Sequence, residues 1–237
     1  MANELNFADA QMLFHKYDIY LTESQYNHLA QFAELMVKES ETQNITAVRT
    51  IPEIWTRHFL DSAFLCKYLP KTAFSVIDIG TGGGIPGIPI AILLNHAHVT
   101  LLDSEHSKIA FCQSVVNKLG LSVHCVSERA EELAKLSSYR EQFDCAVSRA
   151  MTIGSILSEM ALPFLKTNGT LYAMKGRNYD PEVERFESAC EILHGKMDSL
   201  IQYQIEDEPK NLISIQKLEE TPAQYPRRFA KMKRNPL

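Results

Sequence analysis

Between residues 75 and 174, short apolar runs alternate with segments of helical period, and this alternation limits the possible folds more than any other feature of the chain. The runs lie at 75–79, 99–103, 122–126, 144–148 and 170–174, and the helical stretches at 88–95, 106–119, 130–136 and 153–165. A strand followed by a helix and another strand closes as a right-handed crossover, so a parallel sheet covered on both faces is expected. Two more runs, 201–205 and 211–216, are joined by Asp207-Glu208-Pro209-Lys210. That link is too short for a crossover helix, so the pair is expected to form an antiparallel hairpin.

The expected fold class is therefore α/β, a mostly parallel, Rossmann-like seven-stranded sheet with an antiparallel terminal strand. This is the layout of class I S-adenosylmethionine-dependent methyltransferases. Ahead of the sheet, residues 7–69 read as helical. Thr22 with Gln25 forms a capping-box pattern for a helix reaching residue 41, with Leu29, Phe32, Ala33, Leu35 and Met36 on one stripe. Pro52 suits the first turn of a further helix that carries Trp55, His58 and Phe59, and Pro70 closes the region. The expected division is a helical extension over 1–70 and the α/β domain over 71–237, with a basic tail at 225–237.

Composition narrows the function. No run approaches the ~20 apolar residues of a membrane span, so no membrane partner is expected. The opening residues 1–9 lack a cationic start with an apolar core, which makes a cytoplasmic location the expectation. Cys66, Cys112, Cys125, Cys145 and Cys190 are odd in number and contain no C-x-x-C pair, so free thiols and no metal site are expected. A net charge of −5 argues against a general nucleic-acid coat protein. Yet acids crowd residues 180–220, whereas the end holds Arg227, Arg228, Lys231, Lys233 and Arg234 with no acid among them. Such an end suits a local anionic contact, the alternative being a solvated tail.

In an open α/β sheet, ligands bind outside the carboxyl ends of the strands. The first run leads through Asp78 into Gly80-Thr81-Gly82-Gly83-Gly84-Ile85-Pro86-Gly87, a turn whose glycines allow close backbone approach to a ligand. The G-x-G-x-x-G spacing of Gly82, Gly84 and Gly87 also occurs in nicotinamide dinucleotide sites. Asp78 would repel a pyrophosphate, however, and Pro86 lacks an N–H to offer one, so a ligand with a cationic end is the better expectation. The second run ends at Asp103, placed for two ribose hydroxyls or, alternatively, for capping the next helix together with Ser104. Ala130 and Glu131 follow the third run, Glu131 reading either as a ligand contact or as an acid favouring the helix dipole. Arg149 ends the fourth run and reads as an anion contact or as half of a salt bridge, and Lys175 ends the fifth. His58 and Asp61, three apart, are expected to pair with each other or to face solvent.

These motifs resemble one family. Asp78-Ile79-Gly80-Thr81-Gly82-Gly83-Gly84-Ile85-Pro86-Gly87-Ile88-Pro89, Leu102-Asp103-Ser104, Arg129-Ala130-Glu131, Ser148-Arg149-Ala150 and Tyr225-Pro226-Arg227-Arg228 are similar to the small-subunit ribosomal RNA methyltransferase G family, also called glucose-inhibited division protein B. Asn44-Ile45-Thr46-Ala47 and His58-Phe59-Leu60-Asp61-Ser62 extend the likeness to the helical region. The resemblance implies transfer of a methyl group from S-adenosylmethionine to N7 of a guanine in the decoding-region loop of bacterial 16S ribosomal RNA, leaving S-adenosylhomocysteine. Asp78, Gly80, Thr81, Gly82, Gly84, Ile85, Asp103, Ser104, Ala130, Glu131 and Arg149 would hold the methyl donor. Arg149 would also position the guanine, with no general base. Lys175, Arg227, Arg228, Lys231, Lys233 and Arg234 would meet RNA. The expected partner is 16S ribosomal RNA or the small ribosomal subunit, met by a monomeric enzyme. The family pattern is departed from at Glu105-His106-Ser107, which is less basic than usual, and at Ala230, where glycine is common. The alternative is a methyltransferase for a small molecule or another RNA, in which case the basic end should be dispensable for turnover. Guanine N7 has a lone pair and no proton to lose, so its methylation requires alignment and no base.

Overall fold

The computed structural model describes residues 5–237; the first four residues of the opening segment lie outside them. At its centre is a seven-stranded sheet of β1 (Phe74–Ile79), β2 (Ala97–Asp103), β3 (Val123–Ser127), β4 (Phe143–Arg149), β5 (Leu165–Lys175), β6 (Gly195–Ile205) and β7 (Glu208–Lys217), in the order β3-β2-β1-β4-β5-β7-β6. The first five strands pair in parallel, and β7 runs antiparallel between β5 and β6. The hairpin forces that reversal. Its register from Ile205↔Glu208 leaves only Glu206 and Asp207 in the turn, Glu206 at a φ of +51°.

The sheet and its hairpin agree with expectation, while several boundaries differ. The helix expected over 153–165 ends earlier, as Gly154–Ala161 followed by a 3-10 turn at Leu162–Phe164. Pro163 lacks the N–H that would continue the helix. The segment at 130–136 is helical only at Ala130–Leu133. Three helices were not anticipated, Pro181–Glu184, Phe186–Leu193 and Phe229–Arg234. The second buries Phe186, Ala189, Cys190 and Leu193 at i, i+3, i+4 and i+7, a helical stripe inside a segment notable chiefly for its acids.

The helical region comprises Phe7–His15, Glu23–Glu39, and a nearly continuous run of Ile51–Ile54, a π-helical Trp55–Leu60 and Asp61–Cys66. The capping box at Thr22 is present: Gln25 N–H donates to Thr22 Oγ1 at 3.2 Å, and Thr22 N–H donates to Gln25 Oε1 at 2.9 Å. One continuous apolar core joins Phe14, Phe32, Trp55 and Phe59 to Val76, Val99, Leu101 and Val147 of the sheet. The boundary near residue 70 is thus a change of sequence period and not a gap in packing. On the other face, Ile77 and Ala146 meet Ile156, Met160, Phe164, Leu193 and Met232. Met232 belongs to a helix at Phe229–Arg234, so the basic end is anchored by a buried side chain and is not a solvated tail. Among the described residues no helix is long and apolar enough to cross a membrane.

Candidate active site

Sheet order reverses between β1 and β4, and the glycine turn sits at that switch point. Gly80, Gly82 and Gly84 have φ values of +71°, +57° and +87°, a region closed to most side chains. Gly80 and Thr81 both donate backbone N–H bonds to the Leu102 carbonyl, at 2.8 and 3.0 Å, so the turn is suspended from the end of β2. Beneath it lies Asp78, wholly buried. Its Oδ2 accepts from Thr81 Oγ1–H at 2.7 Å and from Gly87 N–H at 2.8 Å, while its buried Oδ1 has no hydrogen-bond partner among the described residues.

Asp78 therefore holds the turn together, and its side chain does not line the cavity above it. This corrects the expectation of direct contact with a cationic ligand: the carboxylate points down into the protein, where two donors wait for it. Burial pushes its pKa from the usual 3.8 up to about 7. The folded protein keeps a proton there that the unfolded chain releases near pH 4, so stability falls as pH rises from about 4 to about 7 and then levels off. The shift corresponds to roughly 4 kcal/mol at most. Asp78→Asn stays neutral and is expected to flatten this slope. Urea unfolding should show the variant gaining on the wild type at pH 8 and not at pH 4.

The cavity above the turn measures about 380 Å³ and opens at the ends of β1, β2 and β4. Asp103 stands on its wall, its Oδ2 accepting from Gly82 N–H and its Oδ1 from Glu105 N–H, both at 2.9 Å. Each oxygen retains a second acceptor site, so the carboxylate is oriented and still able to take two hydroxyls. Gly80, Gly82, Ser104, Ala130, Glu131 and Arg149 line the same cavity. Ile79, Leu102 and Met160 supply apolar surface, and Phe229 of the terminal helix completes the wall, a contribution for which the sequence carried no signal.

Thr81, Gly84 and Ile85 do not line it. Gly84 is a packing position, since a Cβ there would come within 2.4 Å of Ile88 Cδ1. Thr81 and Ile85 face an adjoining cavity of about 140 Å³, bounded by the helical region through Met36, Ile45, Thr46 and His58.

Arg149 lies between the two cavities. Its Nη1 donates to the Arg57 carbonyl at 2.8 Å and to Asp61 Oδ2 at 3.2 Å, and its Nη2 donates to His58 Nδ1 at 2.8 Å. The salt bridge was one of the two readings of Arg149, but its partners were not foreseen: His58 and Asp61 are buried, and each meets Arg149 instead of the other or solvent. They stand in or beside the π-helical segment, a form that often marks functional positions. Tyr203, from the far edge of the sheet, donates to Asp61 Oδ1 at 2.8 Å. Burial and the Arg149 cation push His58 down to about 3, so its ring is neutral at working pH. The motif around His58 and Asp61 was a usable signal; nothing in the sequence pointed to Tyr203.

The six expected RNA-contact cations separate into two groups. Lys175 is nearly buried and donates to Glu184 Oε2 at 2.7 Å and to the Thr152 carbonyl. Arg227 grips the buried Glu159 with its backbone N–H at 2.8 Å, its Nε at 2.7 Å and its Nη2. For these two the expectation is corrected, because their charges are already held by carboxylates inside the fold. Arg228, Lys231, Lys233 and Arg234 remain exposed. Arg227→Ala should lower unfolding stability by about 3–5 kcal/mol by leaving Glu159 uncompensated. Arg234→Ala should stay within about 0.5 kcal/mol in the same urea titration.

An α/β sheet in this order, with a cavity at its switch point and an oriented carboxylate at the end of β2, is the layout of the class I S-adenosylmethionine-dependent methyltransferase fold. Solved structures agree at the level of fold. An S-adenosylmethionine-dependent methyltransferase from Aquifex aeolicus superposes with a TM-score of 0.53 at 15% identity, covering 76% of this chain and 96% of that one. The branched-chain polyamine synthase of Thermus thermophilus, solved with 5′-methylthioadenosine, gives 0.58 at 12% identity over 81% of this chain and 64% of its own. Residues 25–212 match the family described as rRNA small subunit methyltransferase G, and the chain belongs to that family. The ribosomal RNA small subunit methyltransferase G of Clostridium novyi (strain NT) is 40% identical over 225 residues, which are 93% of this chain and 92% of the relative.

Proposed function

We propose that this protein transfers a methyl group from S-adenosylmethionine to N7 of a guanine in the decoding-region loop of 16S ribosomal RNA, acting as a cytoplasmic monomer. The observation that carries this reading is the junction of the two cavities at Gly80, Gly82, Arg149 and Ala150. One cavity suits a nucleoside, the other adjoins it, and the titratable groups at their border are already committed to one another. His58 directs its one free lone pair at Arg149, and Asp61 accepts from Arg149 and Tyr203. Such a border aligns reactants and takes no proton, which is what N7 methylation asks of a site.

The residues fit the methyl donor. A volume of about 380 Å³ lies in the range of small-ligand sites. Asp103 would hold the ribose hydroxyls, Ile79, Leu102, Ala130 and Met160 would flank the adenine, and Gly80 and Gly82 would let the backbone approach. When bound, S-adenosylmethionine supplies an electrophilic methyl carbon activated by its sulfonium. Arg149 faces that cation without repelling it strongly, because Asp61 balances its charge.

Calorimetry with S-adenosylhomocysteine and methyl transfer to small subunits from cells lacking the protein test the reading. Binding is expected, with the label recovered as 7-methylguanosine after nucleoside mapping; label on an exocyclic amine would refute the no-base argument. Substrate class is tested by reversing the charges of Lys231, Lys233 and Arg234. The slope of log RNA affinity against log salt should shrink by about 2. Deleting 226–237 is unsuitable for this purpose, since it removes Phe229 from the cavity wall and Met232 from the core.

A further inference from the structure

The smaller cavity contains a hydroxyl whose hydrogen-bond polarity is set by its neighbours. A guanidinium can only donate, so the Nη2 of Arg149, 2.8 Å from His58 Nδ1, must meet a lone pair there. The ring proton is therefore on Nε2, which lies 2.7 Å from Thr46 Oγ1 and donates to it. Val48 N–H donates to the same oxygen at 3.1 Å. Both lone pairs of the Thr46 hydroxyl are then occupied, and its own O–H is left over as a donor. Among the described residues none accepts that proton, and Thr46 lines the cavity. Of the other polar side chains at this cavity, Thr81 donates its hydroxyl proton to Asp78, whereas Arg149 and His58 bond each other; Met36, Ile45 and Ile85 are apolar.

We propose that this cavity receives the acceptor guanine and that Thr46 selects it, by donating its hydroxyl proton to O6. The inference rests on the reading above that a guanine N7 is the methyl acceptor. The edge of guanine that carries N7 presents a second acceptor, O6, beside it, whereas adenine presents N6–H₂ at the same place. With guanine seated, the Thr46 proton gains its acceptor while N7 faces the methyl group across the Gly80–Arg149 border. With adenine, two donors would oppose each other and the hydroxyl would have no lone pair to turn toward the amine. His58 acts one step back as a positioning residue, because its tautomer fixes which way the hydroxyl points. Arg149 fixes that tautomer in turn, so the residue on the methyl-donor wall also sets the polarity of the base pocket.

The test combines a protein substitution with a substrate substitution. Wild type, Thr46→Val and Thr46→Ser are assayed for methyl transfer to unmodified small subunits, and to subunits reassembled with 2-aminopurine at the target, a base that keeps N7 and has hydrogen in place of O6. Thr46→Val should lower kcat/KM on guanine roughly 10- to 100-fold while S-adenosylhomocysteine affinity stays unchanged, and Thr46→Ser should restore most of the rate. Wild type should lose a similar factor on 2-aminopurine, and Thr46→Val should lose little more on that substrate, the non-additivity expected of two groups that touch. Equal rates for wild type and Thr46→Val on guanine, or losses that simply add, would overturn the proposal and leave the enzyme's assignment intact. A wild type that leaves guanine N7 unmethylated in these subunits would overturn the assignment beneath it. Should Thr46→Val fail to fold, the wild-type comparison of guanine with 2-aminopurine still decides: no loss on 2-aminopurine means O6 is not read.

Discussion

Arg149→Met is expected to abolish methyl transfer and to lower unfolding free energy by about 3–5 kcal/mol, the usual cost of removing one partner from a buried ion pair. The magnitude follows from what is left behind. Asp61 is 2% exposed and would keep a carboxylate bonded only to Tyr203, and His58 Nδ1 would face an apolar side chain. With the guanidinium gone, nothing fixes the His58 tautomer, and the border between the cavities loses its shape. Asp61→Asn should cost less, because an amide oxygen still accepts from Arg149 or Tyr203, but it leaves Arg149 with an uncompensated charge beside a sulfonium. Asp61→Asn is therefore expected to weaken binding of S-adenosylmethionine more than that of S-adenosylhomocysteine, which lacks the sulfonium. Urea unfolding and calorimetry with both ligands check these outcomes. An Arg149→Met protein as stable as the wild type would show that Asp61 and His58 find other partners.

Gly87→Ala should be strongly destabilising and should also disturb the site. A Cβ at this position would lie 2.2 Å from Leu101 Cδ2, 2.8 Å from Asp78 Oδ2 and 3.1 Å from Asp78 Cβ, all in the core. Overpacking of this kind costs about 1–3 kcal/mol. A further penalty of similar size is expected if Asp78 is pushed off Gly87 N–H, because both carboxylate oxygens then stand short of partners. The turn carrying Gly80 and Gly82 would shift with Asp78, so affinity for S-adenosylhomocysteine should fall at least about tenfold. A lowered melting temperature with unchanged ligand affinity would mean that the turn is held from β2 alone, through the Leu102 carbonyl.

Much of this architecture was legible because its causes are local. Strand and helix periods, the short link at 207–210 and the capping pair Thr22 and Gln25 act over a few residues, and each was read from them. Strand-end positions were legible for the same reason: once β1, β2 and β4 are placed, Gly80, Asp103 and Arg149 must sit together. What escaped were contacts that only assembly creates. Asp78 looked like a ligand for a cation because its charge is visible in a sequence, while the Gly87 N–H beneath it is not. Arg227 and Lys175 looked free for the same reason, their partners Glu159 and Glu184 being 68 and 9 residues away in the chain. Phe186–Leu193 was obscured by the acids on its exposed side.

The core shared by the N-terminal helices and the sheet has a consequence for synthesis. Phe14, Phe32, Trp55 and Phe59 leave the ribosome first, but Val99, Leu101 and Val147, on which they close, follow much later, and Tyr203 later still. At roughly 5–20 residues per second, the interval between Asp61 and Tyr203 is on the order of ten seconds. Until those strand residues emerge, the leading helices wait with an uncovered apolar face. Asp61 meets its last partner only when most of the chain has been made, so the border between the two cavities is one of the final structures to form. A nascent fragment of this protein would carry a large part of the fold before it carried any of the chemistry.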